Sequence, residues 1–339
     1  MQSNSLESSH SDSETGTSAN PAPGLRGRPL HIAWGILRNL PKIMNVLPPF
    51  RPKALQQLRE RLGIPTRTHE TRQPFDLSPA LATKVRKFGL EQAVQSVREN
   101  GFGQIHDLVP MDFTAQLRDT VWRIANAQTG GRANMLLDKD PIFEKVALNP
   151  KILTMVEVMC GQGALLSQVV GRVINQNTPA SELHVTQNQL PAPFPKHNQM
   201  VTFCWACDEQ TKAAGAIKVV AGSQQHRRPP SAEEITGQQG AAAIECPAGS
   251  VSFWDGSVWH GRGPRTIDGE QVLLYVTFCR LALRPLESYD HLEARWLAGK
   301  SFDLRVLLGR EDGMDTAHGV VGSIDNISKF LRMTNWAKT

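Results

Sequence analysis

Two histidines stand where chemistry could be built. His184 lies in Leu183-His184-Val185-Thr186-Gln187, an apolar strand start. His260 closes Phe253-Trp254-Asp255-Gly256-Ser257-Val258-Trp259-His260, which reads as a strand, a tight Asp-Gly turn and a second strand opening with histidine. Imidazoles on separate strands of a β-barrel can converge on one interior point, and neutral imidazole is a good ligand for iron, zinc or copper. From the residues alone, two core histidines satisfied by hydrogen bonds would read the same way. Gln187, Asn188, Trp205 and Trp259 flank the pair as candidate pocket residues. His197 follows Pro191, Pro193 and Pro195 in a loop placed over the barrel mouth. Cys204-Trp205-Ala206-Cys207 has redox or zinc spacing, but inside a strand its two thiols point to opposite faces. His226-Arg227-Arg228 reads as a solvated basic turn.

The elements that must position these residues follow a simple order. Ser78-Pro79 suits the cap and first position of a helix. Leu90, Val94 and Val97 keep helical spacing, and Asn100-Gly101 ends that helix. Phe102 to Ile105 reads as a short strand. A second helix starts at Pro110-Met111-Asp112, with Leu117, Val121 and Ile124 on its inner face. From Leu165 the texture turns to strands: Leu165 to Ile174, Leu183 to Gln187, Met200 to Trp205, Ala216 to Val220 and Ser250 to Trp254. Trp259 to Arg262 and Val272 to Leu283 complete the set. Short strands at regular spacing predict a barrel or sandwich behind a helical front. The expected organisation is a disordered tail over 1–25, a partly helical arm over 26–77, a main domain over 78–300 and an extension over 301–339.

Composition narrows the class. The 339 residues carry 37 basic and 32 acidic side chains, a net charge of +5 spread along the chain rather than gathered in a stripe. That gives no support to nucleic-acid binding and leaves anionic small molecules open. No apolar run reaches the roughly 20 residues of a membrane-spanning helix. Five cysteines without a repeating pattern read as reduced thiols, and with no secretory signal ahead of them the expected compartment is cytoplasmic.

Between the two histidines lie Gly215-Ala216, Ala221-Gly222-Ser223, Gly249-Ser250 and Phe253-Trp254-Asp255. Their order and spacing resemble the phytanoyl-CoA dioxygenase family of non-haem iron, 2-oxoglutarate-dependent oxygenases. The resemblance extends to Asn100-Gly101-Phe102 and to Leu136 through Phe143, and covers roughly Leu90 to Pro285. It implies a mainly β fold with a helical flank: a double-stranded β-helix (jelly-roll, cupin-like) barrel with N-terminal helices. It also implies Fe(II) held by two histidines and a carboxylate, and an arginine on the far carboxylate of 2-oxoglutarate. Carried over residue by residue, the metal ligands are His184 and His260. The carboxylate position falls on Thr186, and the arginine position, eleven residues after His260, falls on Gln271. With the triad altered in this way, Arg262 and Arg265 are the nearby cations for the cosubstrate, beside Gln271 itself.

The resemblance implies an enzyme acting on a small, largely apolar acyl, isoprenoid or secondary metabolite, with His184, Thr186 and His260 at its catalytic centre. The changes at Thr186 and Gln271 leave two other expectations. One is a redox-neutral isomerisation or cyclisation in the same pocket, with a histidine as general acid or base. The other is a barrel that only binds. The expected partner is a small molecule, and self-association stays open.

Overall fold

A computed structural model describes Phe75 and residues 77–310 except Gln162. The tail over 1–25, nearly all of the arm over 26–77 and the segment 311–339 lie outside the described residues. Contacts divide the chain after Arg61, and every described residue belongs to the unit that follows.

Among the described residues the first helix opens where the sequence predicts. The Ser78 side chain accepts from the Leu81 N–H and Pro79 opens α1 (Pro79–Lys87). Helix α2 (Glu91–Asn100) buries Ala93, Val94 and Val97 and stops at Gly101, whose φ of 81° is the left-handed cap. The chain then enters β1 (Phe102–Ile105). Helix α3 (Met111–Asn126) buries Thr114, Leu117, Val121 and Ala125, while Ile124 turns to the edge of that stripe. After β2 (Arg132–Ala133), α4 (Pro141–Ala147) and α5 (Pro150–Cys160) are capped by Asp140 and Asn149 and add further apolar faces.

The remaining strands are β3 (Leu165–Ile174), β4 (Met200–Ala206), β5 (Ile217–Val220), β6 (Ala241–Ala243), β7 (Val251–Asp255), β8 (His260–Arg262) and β9 (Gln271–Cys279). Helix α6 (Ala232–Gly237) precedes β6, and α7 (Ala294–Ala298) and α8 (Phe302–Leu307) follow β9. One sheet has the order β1-β7-β4-β9-β3-β2 and the other β6-β5-β8, all pairs antiparallel. This is the jelly-roll barrel with a helical flank. Period-two alternation sorts its side chains. Val201, Phe203, Trp205, Phe253, Leu274, Val276 and Phe278 pack with the helices. Cys204, Trp254, Leu273 and Tyr275 point the other way, against Ile217 and Val219 of the small sheet.

Two local expectations are corrected, and one strand is added that the sequence reading did not contain. Leu183 to Gln187 is not a full strand but a single bridge, His184 to His260, because the chain leaves the sheet edge on either side. The last strand ends at Cys279, where Leu283 N–H turns back to the Arg280 carbonyl. The alanine strand β6, with little β character of its own, is held by its ladder to β5. Cys204 and Cys207 do face opposite sides, and all five cysteines are buried and free. Burial pushes each thiol above its ordinary pKa. No helix among the described residues is long and apolar enough to cross a membrane.

Candidate active site

The turn between β7 and β8 sets His260. The Asp255 carboxylate accepts from the Ser257 N–H at 2.8 Å and its hydroxyl at 2.6 Å. The Gly256 N–H donates to the Met200 carbonyl at 2.7 Å, and a Cβ on Gly256 would meet that same carbonyl oxygen at 2.9 Å. Only glycine lets the turn sit so close to β4.

His184 is then fixed by His260. Each main-chain N–H donates to the other's carbonyl at 2.9 Å, and the ring centroids are 4.4 Å apart. His184 Nδ1 lies 3.0 Å from the Glu182 carbonyl, and His260 Nδ1 lies 2.8 Å from the Val258 carbonyl. A carbonyl can only accept, so each Nδ1 carries the proton and each Nε2 keeps a free lone pair. His260 is buried, and burial first, then the neighbouring His184, pushes its pKa down to about 3. It is a neutral imidazole throughout the physiological range. His184 is exposed to the cavity beside it.

That cavity has a volume of about 480 Å³. Trp254 forms a wall, its ring 4.9 Å from His260. A row of polar groups crosses the floor. Trp254 Nε1 donates to the Thr186 hydroxyl at 3.4 Å, Thr186 meets Thr202 at 3.4 Å, and Thr202 meets Thr277 at 3.0 Å. Gln168 Nε2 donates to the Thr277 hydroxyl at 3.2 Å and ends the row. Arg132, Arg172 and Arg262 also line the cavity, and among the described residues no acidic side chain does.

The expected site residues divide. His184, Thr186, His260, Asn188 and Arg262 line the cavity. Gln271 does not: it is fully buried at the start of β9, with Nε2 donating to the Glu209 carbonyl at 3.4 Å. Arg265 does not either. Its guanidinium is spent on the Gly269, Ala214 and Asp268 carbonyls, which close the loop between β8 and β9. Trp205 faces the helices and packs on Phe113. Trp259 stacks with His226 and packs against the Arg228 guanidinium, and it does not line the cavity. Gln187 is buried behind the bridge, its N–H on the Gly256 carbonyl. His197 is exposed and its carbonyl accepts from Gln199. Sequence reasoning missed Arg172, Gln168, Thr202, Trp254 and Tyr275. A signal existed for two of them: Gln168 and Arg172 are inward positions of the mostly apolar β3, where polar side chains need a cavity or a partner.

Comparison with known proteins agrees with this architecture. The chain is 24% identical over 208 residues to the uncharacterised protein Rv1501 of Mycobacterium tuberculosis, covering 56% of this chain and 76% of that one. It is 24% identical over 165 residues to the dioxygenase af480 of Aspergillus fumigatus, covering 47% and 52% of the two chains. The crystal structure of HygX from Streptomyces hygroscopicus, with nickel and 2-oxoglutarate bound, superposes with a TM-score of 0.51 at 15% identity, over 61% of this chain and 93% of that one. That likeness is one of fold. The family model of phytanoyl-CoA dioxygenase (PhyH) matches residues 45–268. A match over that span, more than half of the sequence, places the chain in the phytanoyl-CoA dioxygenase family.

Proposed function

We propose that this chain is a phytanoyl-CoA dioxygenase-like enzyme that oxidises a small metabolite in the cavity, with Fe(II) on His184 and His260 and 2-oxoglutarate as cosubstrate. The observation that carries this reading is the histidine pair. Both Nδ1 protons are committed to carbonyls, so two Nε2 lone pairs serve one cavity. Family membership supports the same chemistry, and so does HygX, which holds nickel and 2-oxoglutarate in this fold.

The donor set fits a two-histidine centre. Neutral imidazoles held by outer carbonyls suit a divalent transition metal. The place of the protein carboxylate is taken by the Thr186 hydroxyl, which already bonds Trp254 and Thr202. Among the described residues no three His, Cys, Asp or Glu side chains cluster as a metal site. Among the described residues, then, negative charge at this centre is left to a bound ligand. Iron and 2-oxoglutarate, when bound, supply the oxidising chemistry. The chain's own residues do the rest: Trp254 shields one side of His260, and the row from Thr186 to Gln168 orients polar atoms of what enters. Val170, Val185, Ile217 and Leu286 give the cavity its apolar wall. An acyl, isoprenoid or secondary metabolite with one polar end suits such a lining.

Chelator-stripped protein titrated anaerobically with Fe(II) in a calorimeter tests this reading. Iron should bind with micromolar affinity in the presence of 2-oxoglutarate and more weakly without it. Absence of iron binding under both conditions overturns it.

One observation favours a second reading, a redox-neutral reaction: the carboxylate position is a threonine. His184, open to the cavity, would then be the general acid or base, because His260 stays unprotonated down to about pH 3. Turnover indifferent to chelator would select it.

A further inference from the structure

Arg172 and Arg262 come from opposite sheets and line one cavity. Arg172 is an inward position of β3, in line with Gln168 and Val170, and Arg262 is the inward position of β8 next after His260. Tyr275, inward on β9, lies within electrostatic range of both, and the two guanidiniums lie within range of each other. Two like charges in a half-buried space repel, and their desolvation costs free energy unless a counter-charge is present.

Among the described residues no protein group supplies that counter-charge. Elsewhere Arg118 pairs with Asp208, Arg228 with Glu234 and Arg310 with Asp290. Arg172 has neither a hydrogen bond nor an ion pair among the described residues, so all five of its N–H donors are open. Arg262 is anchored through one N–H on the Gly263 carbonyl at 2.9 Å and one on the Pro179 carbonyl at 2.8 Å. Those bonds fix its position without neutralising it. Burial first, and the neighbouring Arg132, pull the Arg172 guanidinium below its ordinary pKa.

We infer that Arg172 and Arg262, which line the same cavity as Tyr275, form a seat for a carboxylate of the molecule that enters it. A planar guanidinium with free donors on both edges matches a carboxylate through two parallel bonds. The seat also accounts for Gln271. That residue pairs with Ile174 on β3, one inward position from Arg172, and carries no charge. The inference rests on the proposed reading only in taking this cavity as the binding site. The carboxylate has two sources, the far end of 2-oxoglutarate or the head group of an acidic substrate.

The test uses full-length protein stripped of metal by chelator and titrated calorimetrically with 2-oxoglutarate, glutarate, hexanoate and dimethyl glutarate. Acids should bind and the neutral diester should not. Arg172→Gln and Arg262→Gln should each weaken the acids about 10- to 100-fold, as expected for loss of charge-assisted bonds. Arg172→Lys should keep part of the affinity, which separates loss of charge from loss of fold. Binding of the diester as tight as that of the acids, or acid binding within about 2-fold of the parent in folded Arg172→Gln, overturns the seat. Preference for 2-oxoglutarate over hexanoate by about 10-fold or more assigns it to the cosubstrate, and equal affinity assigns it to an acidic substrate. Fe(II) is then added anaerobically. If glutarate binds and iron does not, the iron reading fails and the seat stands. If iron, 2-oxoglutarate and hexanoate all bind Arg172→Gln as they bind the parent, the seat fails and the iron reading stands.

Discussion

His184 and His260 hold each other through paired main-chain hydrogen bonds of 2.9 Å, and each ring is steadied by the carbonyl two residues before it. The backbone therefore sets the distance between the rings before any ligand arrives. Such preorganisation matters most where only two protein donors serve the metal.

The first prediction concerns that pair. Loss of an outer-shell partner typically weakens a metal site 10- to 100-fold, so loss of a direct ligand from a two-histidine centre should cost roughly 100-fold or more. His184→Ala and His260→Ala should each abolish measurable Fe(II) binding in the presence of 2-oxoglutarate. Because the two act as a unit, the double variant should be no worse than either single one. Calorimetry on the three proteins checks this, and additive, partial losses would show that the rings work separately.

Thr186→Asp should strengthen the centre. A carboxylate there would keep the Trp254 N–H and the Thr202 hydroxyl as donors, since both already reach the Thr186 hydroxyl at 3.4 Å. An anionic ligand in place of a neutral one should tighten Fe(II) by about 10-fold or more. No change at Gln271 is needed, because that side chain does not line the cavity. Unchanged iron affinity in a folded Thr186→Asp protein would mean that position 186 does not face the metal.

The parts that were legible in the sequence are those fixed by local chemistry. The stop at Gly101, the strand Leu165–Ile174 and the Asp255-Gly256 turn are all short-range decisions. The histidine pair was legible because it brackets a recognisable order of glycines. The rest of the site depends on which face of each strand looks inward. Trp205 and Trp254 read alike as aromatic residues beside a motif, yet one joins the helix-packed core and the other walls the cavity. Strand pairing decides that, and a shift of one residue would exchange them. Arg172 was hidden for a related reason: its partner Arg262 is brought to it only by closure of the barrel.

Gly101→Ala should unsettle both fold and site. Gly101 sits at φ 81°, and its carbonyl accepts the Asp255 N–H at 2.8 Å. A Cβ there would collide with Gln224 and with Val258, the residue whose carbonyl steadies His260. Strain in the left-handed region and overpacking together should cost about 2–4 kcal/mol, a fall in Tm of roughly 5–15 °C. Thermal unfolding measures the first effect and weaker Fe(II) binding the second. A Tm within about 2 °C of the parent would show that the two sheets give way without cost.

Asp255 supplies a pH signature. Burial pushes its carboxyl up to about 6 from an ordinary 3.8, against the opposing effects of the Ser257 hydrogen bonds and of Arg280. Between these two values the folded chain holds a proton that the unfolded chain has released. The stability from this group is therefore fully present below about pH 3.8 and is lost as the pH rises through about 6. Asp255→Asn keeps the Oδ1 acceptor for Ser257 and removes the titration. Every other group titrates alike in the two proteins and cancels in the comparison. From pH 4 to pH 7.5 the stability of Asp255→Asn relative to the parent should rise by on the order of 2–3 kcal/mol. Denaturant unfolding at both pH values gives that difference directly. Parallel stability curves would mean that Asp255 is ionised in the folded protein, and that the turn before His260 carries a buried charge.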